Sequence, residues 1–212
     1  MNNQKSLLFF ENLANSEGLI PGLEKLAHKN DWSSIDAEFI LKYSQKNFRV
    51  LDIGTGTGLI INKLYDKVGT VTCVEPYTKF TKFVTKSPNI RIINENIFNF
   101  ETEEKFDLIT AFGVMHYFNE EEATQVYGKL ITFLRHGCRL ILKNQFGIKD
   151  DVTVAGYSEE QKADYFSQYR CLKKEIEILE NVGFKNIETI DIYPPEANRW
   201  NNTHFYSIVG EK

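Results

Sequence analysis

One stretch constrains this chain more than any other: Phe48-Arg49-Val50-Leu51-Asp52-Ile53-Gly54-Thr55-Gly56-Thr57-Gly58. A short run of β-branched and aliphatic residues ending in a glycine cluster reads as a strand and its stop. Leu59, Ile60, Leu64 and Tyr65 then recur at helical spacing, so a helix follows. The glycines let the backbone turn tightly and approach a ligand closely. The helix opening there points bare N–H groups at whatever sits above the strand. Such a strand–loop–helix unit holds a nucleotide-like ligand.

The spacing narrows the ligand. Dinucleotide-binding folds want G-x-G-x-x-G, whereas this run is G-x-G-x-G with Asp52 two residues before its first glycine. A carboxylate beside the loop repels a pyrophosphate and suits a ligand with a cationic end, such as the ammonium and sulfonium of S-adenosylmethionine. A second acid, Glu75, ends the next strand, Thr70 to Val74. That is the place, about 20 residues past the loop, where a carboxylate binds ribose hydroxyls.

Length and composition set bounds. The chain has 212 residues, enough for one domain with a sizeable core. With 42% hydrophobic and 13% aromatic residues it is an ordinary globular sequence. A formal net charge of −4 argues against affinity built on neutralising phosphates, hence no nucleic acid partner. No apolar run is long enough to span a bilayer, and Met1-Asn2-Asn3-Gln4-Lys5 lacks secretory-signal architecture. Cys73, Cys138 and Cys171 are scattered, which fits a reducing, cytoplasmic setting. The four histidines lack metal-ligand spacing, so no metal is expected.

Residues 1–47 are expected to form a helical cap or lid over the main domain, 48–212. Apolar Leu7, Leu8, Phe9, Phe10 and Leu13 are followed by breakers Gly18 and Pro21, and a short helix is expected from Pro21. Ser33-x-x-Asp36 resembles a capping box. Either Trp32 or Phe10 would touch ligand if the cap is a lid. Further strands are expected at Ile90–Ile93, Phe106–Ala111, Cys138–Lys143, Phe184–Ile192 and His204–Val209. Asn119-x-x-Glu122 caps a helix with an apolar stripe from Ala123 to Leu134, ended by Arg135, His136 and Gly137. Residues 147–171 read as an insertion over the active site, with a helix capped by Ser158-x-x-Gln161 and carrying Tyr165, Phe166 and Tyr169.

Strands alternating with helices give a mostly parallel α/β sheet, helices on both faces. The short link between the last two strands forces them antiparallel. Ligands of such sheets bind outside the carboxyl ends of the strands. There lie the glycine loop, Glu75, Asn96-Ile97, Phe112–Tyr117, Asn144-Gln145 and residues 193–202. Asn96 reads either as an adenine contact or as a turn asparagine. His116, just past a strand end, is the best placed base, with Tyr117 beside it and His204 a further candidate. Tyr165, Tyr169, Arg170, Arg199 and Trp200 lie in segments near the pocket mouth. Aromatics with amides suit a sugar face, and arginines suit a phosphate or carboxylate; equally, Tyr165 and Tyr169 read as core and the arginines as solvated.

On Leu51 to Gly58, Glu75, Asn96-Ile97, Phe106-Asp107-Leu108-Ile109 and the Gly183-Phe184 turn, the chain resembles the class I S-adenosylmethionine-dependent methyltransferases over residues 48–212. The resemblance implies a Rossmann-like seven-stranded sheet with a reversed last strand. It implies S-adenosylmethionine as cofactor, with Gly54 and Gly56 against the methionine part and Asp52, Thr55 and Gly58 also in the cofactor site. Glu75 and Pro76 would meet ribose, Asn96 and Ile97 adenine, and the Phe112-Gly113 backbone the methionine portion. Asn144 and Gln145 would join the acceptor pocket. Residues 147–202 also resemble small-molecule methyltransferases of bacterial surface-polysaccharide pathways, implying O-methylation of a sugar or phosphorylated precursor.

Rival readings are an RNA or protein methyltransferase, a nicotinamide-dependent oxidoreductase, and a cofactor binder without catalysis. Against the first, no basic stripe or added domain is visible, and Ala111-Phe112-Gly113-Val114 replaces the N-P-P-[YF] signature of amino-group methylation on bases and glutamine. Glycine spacing and Asp52 oppose the second.

Overall fold

Strand β1 (Arg49–Ile53) is central to a seven-stranded sheet of order β3-β2-β1-β4-β5-β9-β8. The computed structural model describes residues 3–22, 31–158, 163–198 and 200–212. The strands are β2 (Thr70–Val74), β3 (Ile90–Ile93), β4 (Phe106–Phe112), β5 (Leu134–Gly147), β8 (Lys185–Ile190) and β9 (Thr203–Glu211). β1 pairs parallel with β2 and β4, β2 with β3, and β4 with β5. β9 runs antiparallel to both β5 and β8. The expected sheet with a reversed last strand is therefore present, the reversed strand lying inside the sheet edge.

Alternation along each strand sends side chains to two cores. Leu51, Ile53, Ile109, Ala111, Leu140 and Leu142 face one, where α5 (Glu120–Phe133) adds Val126, Tyr127 and Leu130 and α6 (Leu172–Val182) adds Ile178 and Leu179. Val50, Leu108 and Ile141 face the other, under Phe39 and Ile40 of α2 (Ser33–Leu41) and Ile61 and Leu64 of α3 (Ile61–Leu64). The same alternation puts Asp52, Thr110 and Lys143 on the α2 side, two residues beyond Val50, Leu108 and Ile141.

Several local expectations hold. Asn119 and Glu122 form a reciprocal capping box on α5, satisfying backbone donors that the helix itself leaves open. Gly183, at φ 107°, ends α6 in the left-handed conformation. Others need correction. α5 stops at Phe133 and Leu134 already pairs with Phe106, so Arg135, His136 and Gly137 belong to β5. His136 is exposed there. The Ser33-x-x-Asp36 box does not form: Asp31 accepts the Ser33 N–H at 2.9 Å, and Asp36 is fully buried. The helix expected from Pro21 falls mostly on residues 23–30, outside the described residues.

The 147–171 stretch is not helical. It is a hairpin of β6 (Val152–Ser158) and β7 (Ala163–Tyr169), paired antiparallel from Val152–Tyr169 to Ser158–Ala163. Gln161, half of the proposed cap, lies outside the described residues. Tyr165, Phe166 and Tyr169 fit a helical period, but Tyr165, Ser167 and Tyr169 also fit a period of two, and β-branched Val152, Thr153 and Val154 favour strands. Helix α1 (Asn3–Asn15) lies on this hairpin. Ser6 Oγ donates to the Phe166 carbonyl at 3.1 Å, and Phe9 meets Tyr165 edge-on at 5.3 Å.

At the hairpin's exit Arg170 is 2% exposed and its guanidinium is fully engaged inside the protein. Nε donates to Glu175 at 2.5 Å; the terminal nitrogens donate to Glu175, to the Met115 carbonyl at 2.8 Å and to the Phe118 carbonyl. Tyr127 Oη donates to the same carboxylate. Burial works against the Arg170 charge, but Glu175 beside it holds the pKa above the ordinary arginine value. Arg170→Met strands the buried Glu175 charge. We expect it to lower unfolding free energy by about 3–5 kcal/mol in urea titrations; a loss under about 1 kcal/mol would show that this pair does not hold hairpin, α6 and α5 together.

Candidate active site

The carboxyl ends of β1, β2 and β4 meet where the glycine loop leaves β1. Gly54, Gly56 and Gly58 have φ of 71°, 57° and 81°. At Gly54 a Cβ would lie 2.3 Å from Val114 Cγ2, so conformation and space both require glycine there. Two acids lock the loop. Asp52 accepts from Thr55 Oγ1 at 2.7 Å and from Thr110 Oγ1 at 2.6 Å, tying loop to β4. Glu75 accepts the Gly56 N–H at 2.9 Å and the Tyr77 N–H at 3.1 Å. Both carboxylates are 5% exposed.

These groups line a cavity of about 520 Å³, within the range of small-ligand sites. Asp52, Gly54, Thr55, Gly56, Glu75 and Pro76 form one wall. Asn96, Ile97, Phe112 and Gly113 continue it. Gly58 does not reach it: a Cβ there would meet Val84 at 2.9 Å, so its role is to let the next turn pack. Asn96 lines the cavity and is also a turn asparagine, its Oδ1 accepting the Phe98 N–H at 3.1 Å.

The far half of the cavity is built differently. His116, Tyr117, Gln145, Tyr165, Tyr169 and Trp200 line it, all expected from sequence. His116 Nδ1 is 3.1 Å from Asn144 Oδ1. Asn144 lies behind His116 rather than on the cavity wall, at 1% exposure. Gln145 Nε2 donates to Thr203 Oγ1 at 2.5 Å. Phe9, Phe10 and the hairpin residues Val154 to Tyr157 roof the space, with Phe10 against Tyr117 at 4.9 Å. Trp32, like Phe10, lines the cavity.

Two expected residues are elsewhere. Arg170 is committed to Glu175, as above, and cannot serve a substrate anion. His204 points away, Nδ1 at 2.8 Å from Asn198 Nδ2 and Nε2 at 2.8 Å from Asp191 Oδ2; its position on β9, one residue before cavity-lining Phe205, sends it to the opposite face. Arg199 lies outside the described residues. Among the described residues no group of three or more His, Cys, Asp or Glu assembles as a metal site, and no helix is long and apolar enough to cross a membrane.

Sequence reasoning missed Lys143, Tyr193 and Asp36. Lys143 lines the cavity at 5% exposure, with Nζ 3.0 Å from Tyr193 Oη and 3.3 Å from Asp36 Oδ2. Tyr193 Oη donates to Asp36 Oδ1 at 2.6 Å. Burial and then the Asp36 charge push the Tyr193 pKa well up, so it stays a neutral donor. A lysine after an apolar strand was the only available signal, and its partners lie far off in sequence.

The residues fit S-adenosylmethionine. The Gly56 N–H, which would cradle a phosphate in a dinucleotide site, is taken by a carboxylate. Both acids line one wall of the cavity as acceptors. At Gly113, φ 74°, a Cβ would meet nothing within 4 Å, so the backbone borders open cavity.

Comparison with known proteins agrees. Residues 50–137 match the methyltransferase-domain family. The chain is 25% identical over 128 residues to an uncharacterized methyltransferase of Anoxybacillus flavithermus, and 26% over 122 residues to one of Staphylococcus carnosus. These matches span 59% and 57% of this chain and 60% and 54% of those proteins, so they fall well short of the relatives' whole length. The fold is similar to that of the DhpI–S-adenosylhomocysteine complex, with a TM-score of 0.70 at 12% identity over 99% of this chain and 95% of that one. It is also similar to the glycopeptide N-methyltransferase MtfA complexed with S-adenosylmethionine, at 0.68 and 11% over 86% and 95%. By its family match over residues 50–137, its sheet order and the acids that close its glycine loop, the chain is similar to the class I S-adenosylmethionine-dependent methyltransferases.

Proposed function

We propose that the protein transfers the methyl group of S-adenosylmethionine to an oxygen of a small acceptor held in the ring-lined half of the cavity. The observation that carries the cofactor half is the Glu75 carboxylate on the Gly56 N–H. Asp52, Glu75, Asn96 and the Phe112-Gly113 backbone are the residues that would hold the cofactor. Bound there, it supplies an electrophilic methyl carbon, so the difficult chemistry is the cofactor's own.

The chain's part is to orient, to remove a proton and to exclude water. An amide oxygen can only accept, so we assign the proton to Nδ1, which would leave His116 Nε2 as the basic nitrogen. We assign Nε2 to take the acceptor's hydroxyl proton as the oxygen attacks. Tyr117 packs against the imidazole at a tilt of 48°, ring centres 4.0 Å apart, and limits its motion. α1 and the hairpin cap the chamber, which supports a small molecule over RNA or protein as acceptor. A sugar ring would stack on Tyr165, Tyr169 or Trp200, and Gln145 would meet its hydroxyls. That keeps the sugar of the surface-polysaccharide resemblance within the proposal. A phosphate on it finds no arginine among the described lining residues.

Calorimetry with S-adenosylhomocysteine tests the cofactor reading. Wild type should bind it; binding of NADH in its place would overturn the assignment. Glu75→Ala removes an acceptor for the ligand and frees two loop amides, and should weaken binding about tenfold or more. His116→Ala should cut kcat about a hundredfold or more with S-adenosylhomocysteine affinity changed less than about twofold. Normal turnover in that variant would remove the base assignment.

A further inference from the structure

The acceptor half contains a buried charge that methyl transfer as described does not use. Lys143 is the one lysine or arginine among the described residues lining the cavity. The sheet register sets it beside Phe112, and its ammonium lies 5.5 Å from the Phe112 ring centre, 4.9 Å from that of Tyr193 and 5.6 Å from that of Phe205. All three rings also line the cavity. Behind the ammonium stands Asp36, 0% exposed, with Tyr193 Oη bridging the two. The result is an oriented ion pair with its negative end in the protein and its positive end at the cavity wall.

An ion pair this deep is a poor stabiliser. Desolvating both charges costs about as much as their attraction returns, and packed apolar residues would serve the fold as well. The placement serves a ligand instead. A cation desolvated in a ring-lined chamber attracts an anionic oxygen far more strongly than one in water. Asp36 behind the ammonium weakens that attraction, so the pair acts on an anion as an oriented dipole rather than as a bare charge.

We propose that Lys143 is the specificity residue of the acceptor site, and that the acceptor is a ring-bearing or chain carboxylic acid whose carboxylate docks on Nζ. The methylated oxygen is then a hydroxyl elsewhere on that molecule, held toward Phe112 and Gly113. The proposal rests on the methyltransferase reading for the identity of the reaction, but not for the anion preference.

The test uses two isosteric pairs, benzoate with benzamide and hexanoate with hexanamide, titrated into the full chain with and without saturating S-adenosylhomocysteine. Wild type should bind the carboxylate of at least one pair about tenfold more tightly than its amide. Lys143→Met should erase the preference while S-adenosylhomocysteine affinity stays within about twofold, and Lys143→Arg should restore part of it. Asp36→Asn keeps the shape and removes the competing charge, so it should tighten carboxylate binding; a purely structural tie gives no such gain. If Lys143→Met does not fold, Lys143→Met with Asp36→Asn removes both charges and should show the same loss of preference. No carboxylate preference in either pair, or a preference that survives removal of the lysine, overturns the proposal. Failure of S-adenosylhomocysteine to bind wild type would instead overturn the cofactor reading, with the anion arm still read in its absence.

Discussion

The site depends on one hydrogen bond, from the Gly56 amide to the Glu75 carboxylate. It spans two parallel strands and fixes a loop whose backbone would otherwise present an anion-binding N–H. With Asp52 bound to Thr55 and Thr110, two successive loop residues, Thr55 and Gly56, are each held by an acid. The electrostatic character of the cavity follows. Its β1–β2 side is lined with acceptors, and a ligand bearing a cationic centre and hydroxyls complements it, whereas a pyrophosphate would meet two buried carboxylates.

The other half answers a different constraint. β5 and β9 extend past the sheet's end, and the hairpin and α1 close over them, so the chamber walls are rings rather than backbone. Polar groups there come already paired with an orienting partner. Asn144 fixes His116, Thr203 fixes Gln145, and Asp36 with Tyr193 fixes Lys143. Such pairing limits the reorganisation a reaction would need.

The cofactor half was legible because its residues sit at strand ends, and strand ends can be read from apolar runs closed by glycine, acid or asparagine. Asp52 and Glu75 follow from that alone, whereas the role of Gly113 came from the family resemblance. The acceptor half was legible only in part. Arg170 read as a ligand for anions because nothing in the sequence shows that Glu175, on the next helix, folds back to neutralise it. His204 misled because one residue of register decides which face a strand side chain takes. The hairpin was mistaken for a helix because Tyr165 and Tyr169 satisfy both periods. Asp36 looked like a helix cap, the commonest use of an acid at that spacing, but tertiary contact with Tyr193 and Lys143 prevailed over local capping.

The chamber borrows its walls from the whole length of the chain: Phe9 and Phe10 near the start, Tyr165 in the hairpin, Phe205 in the last strand. Non-local walls close late, because distant segments must meet before any contact rewards them. During synthesis the glycine loop and its acids can therefore assemble while the ribosome is still extending the rest. Only when β9 slots between β5 and β8 is the compartment complete, so the chamber is finished later than the glycine loop.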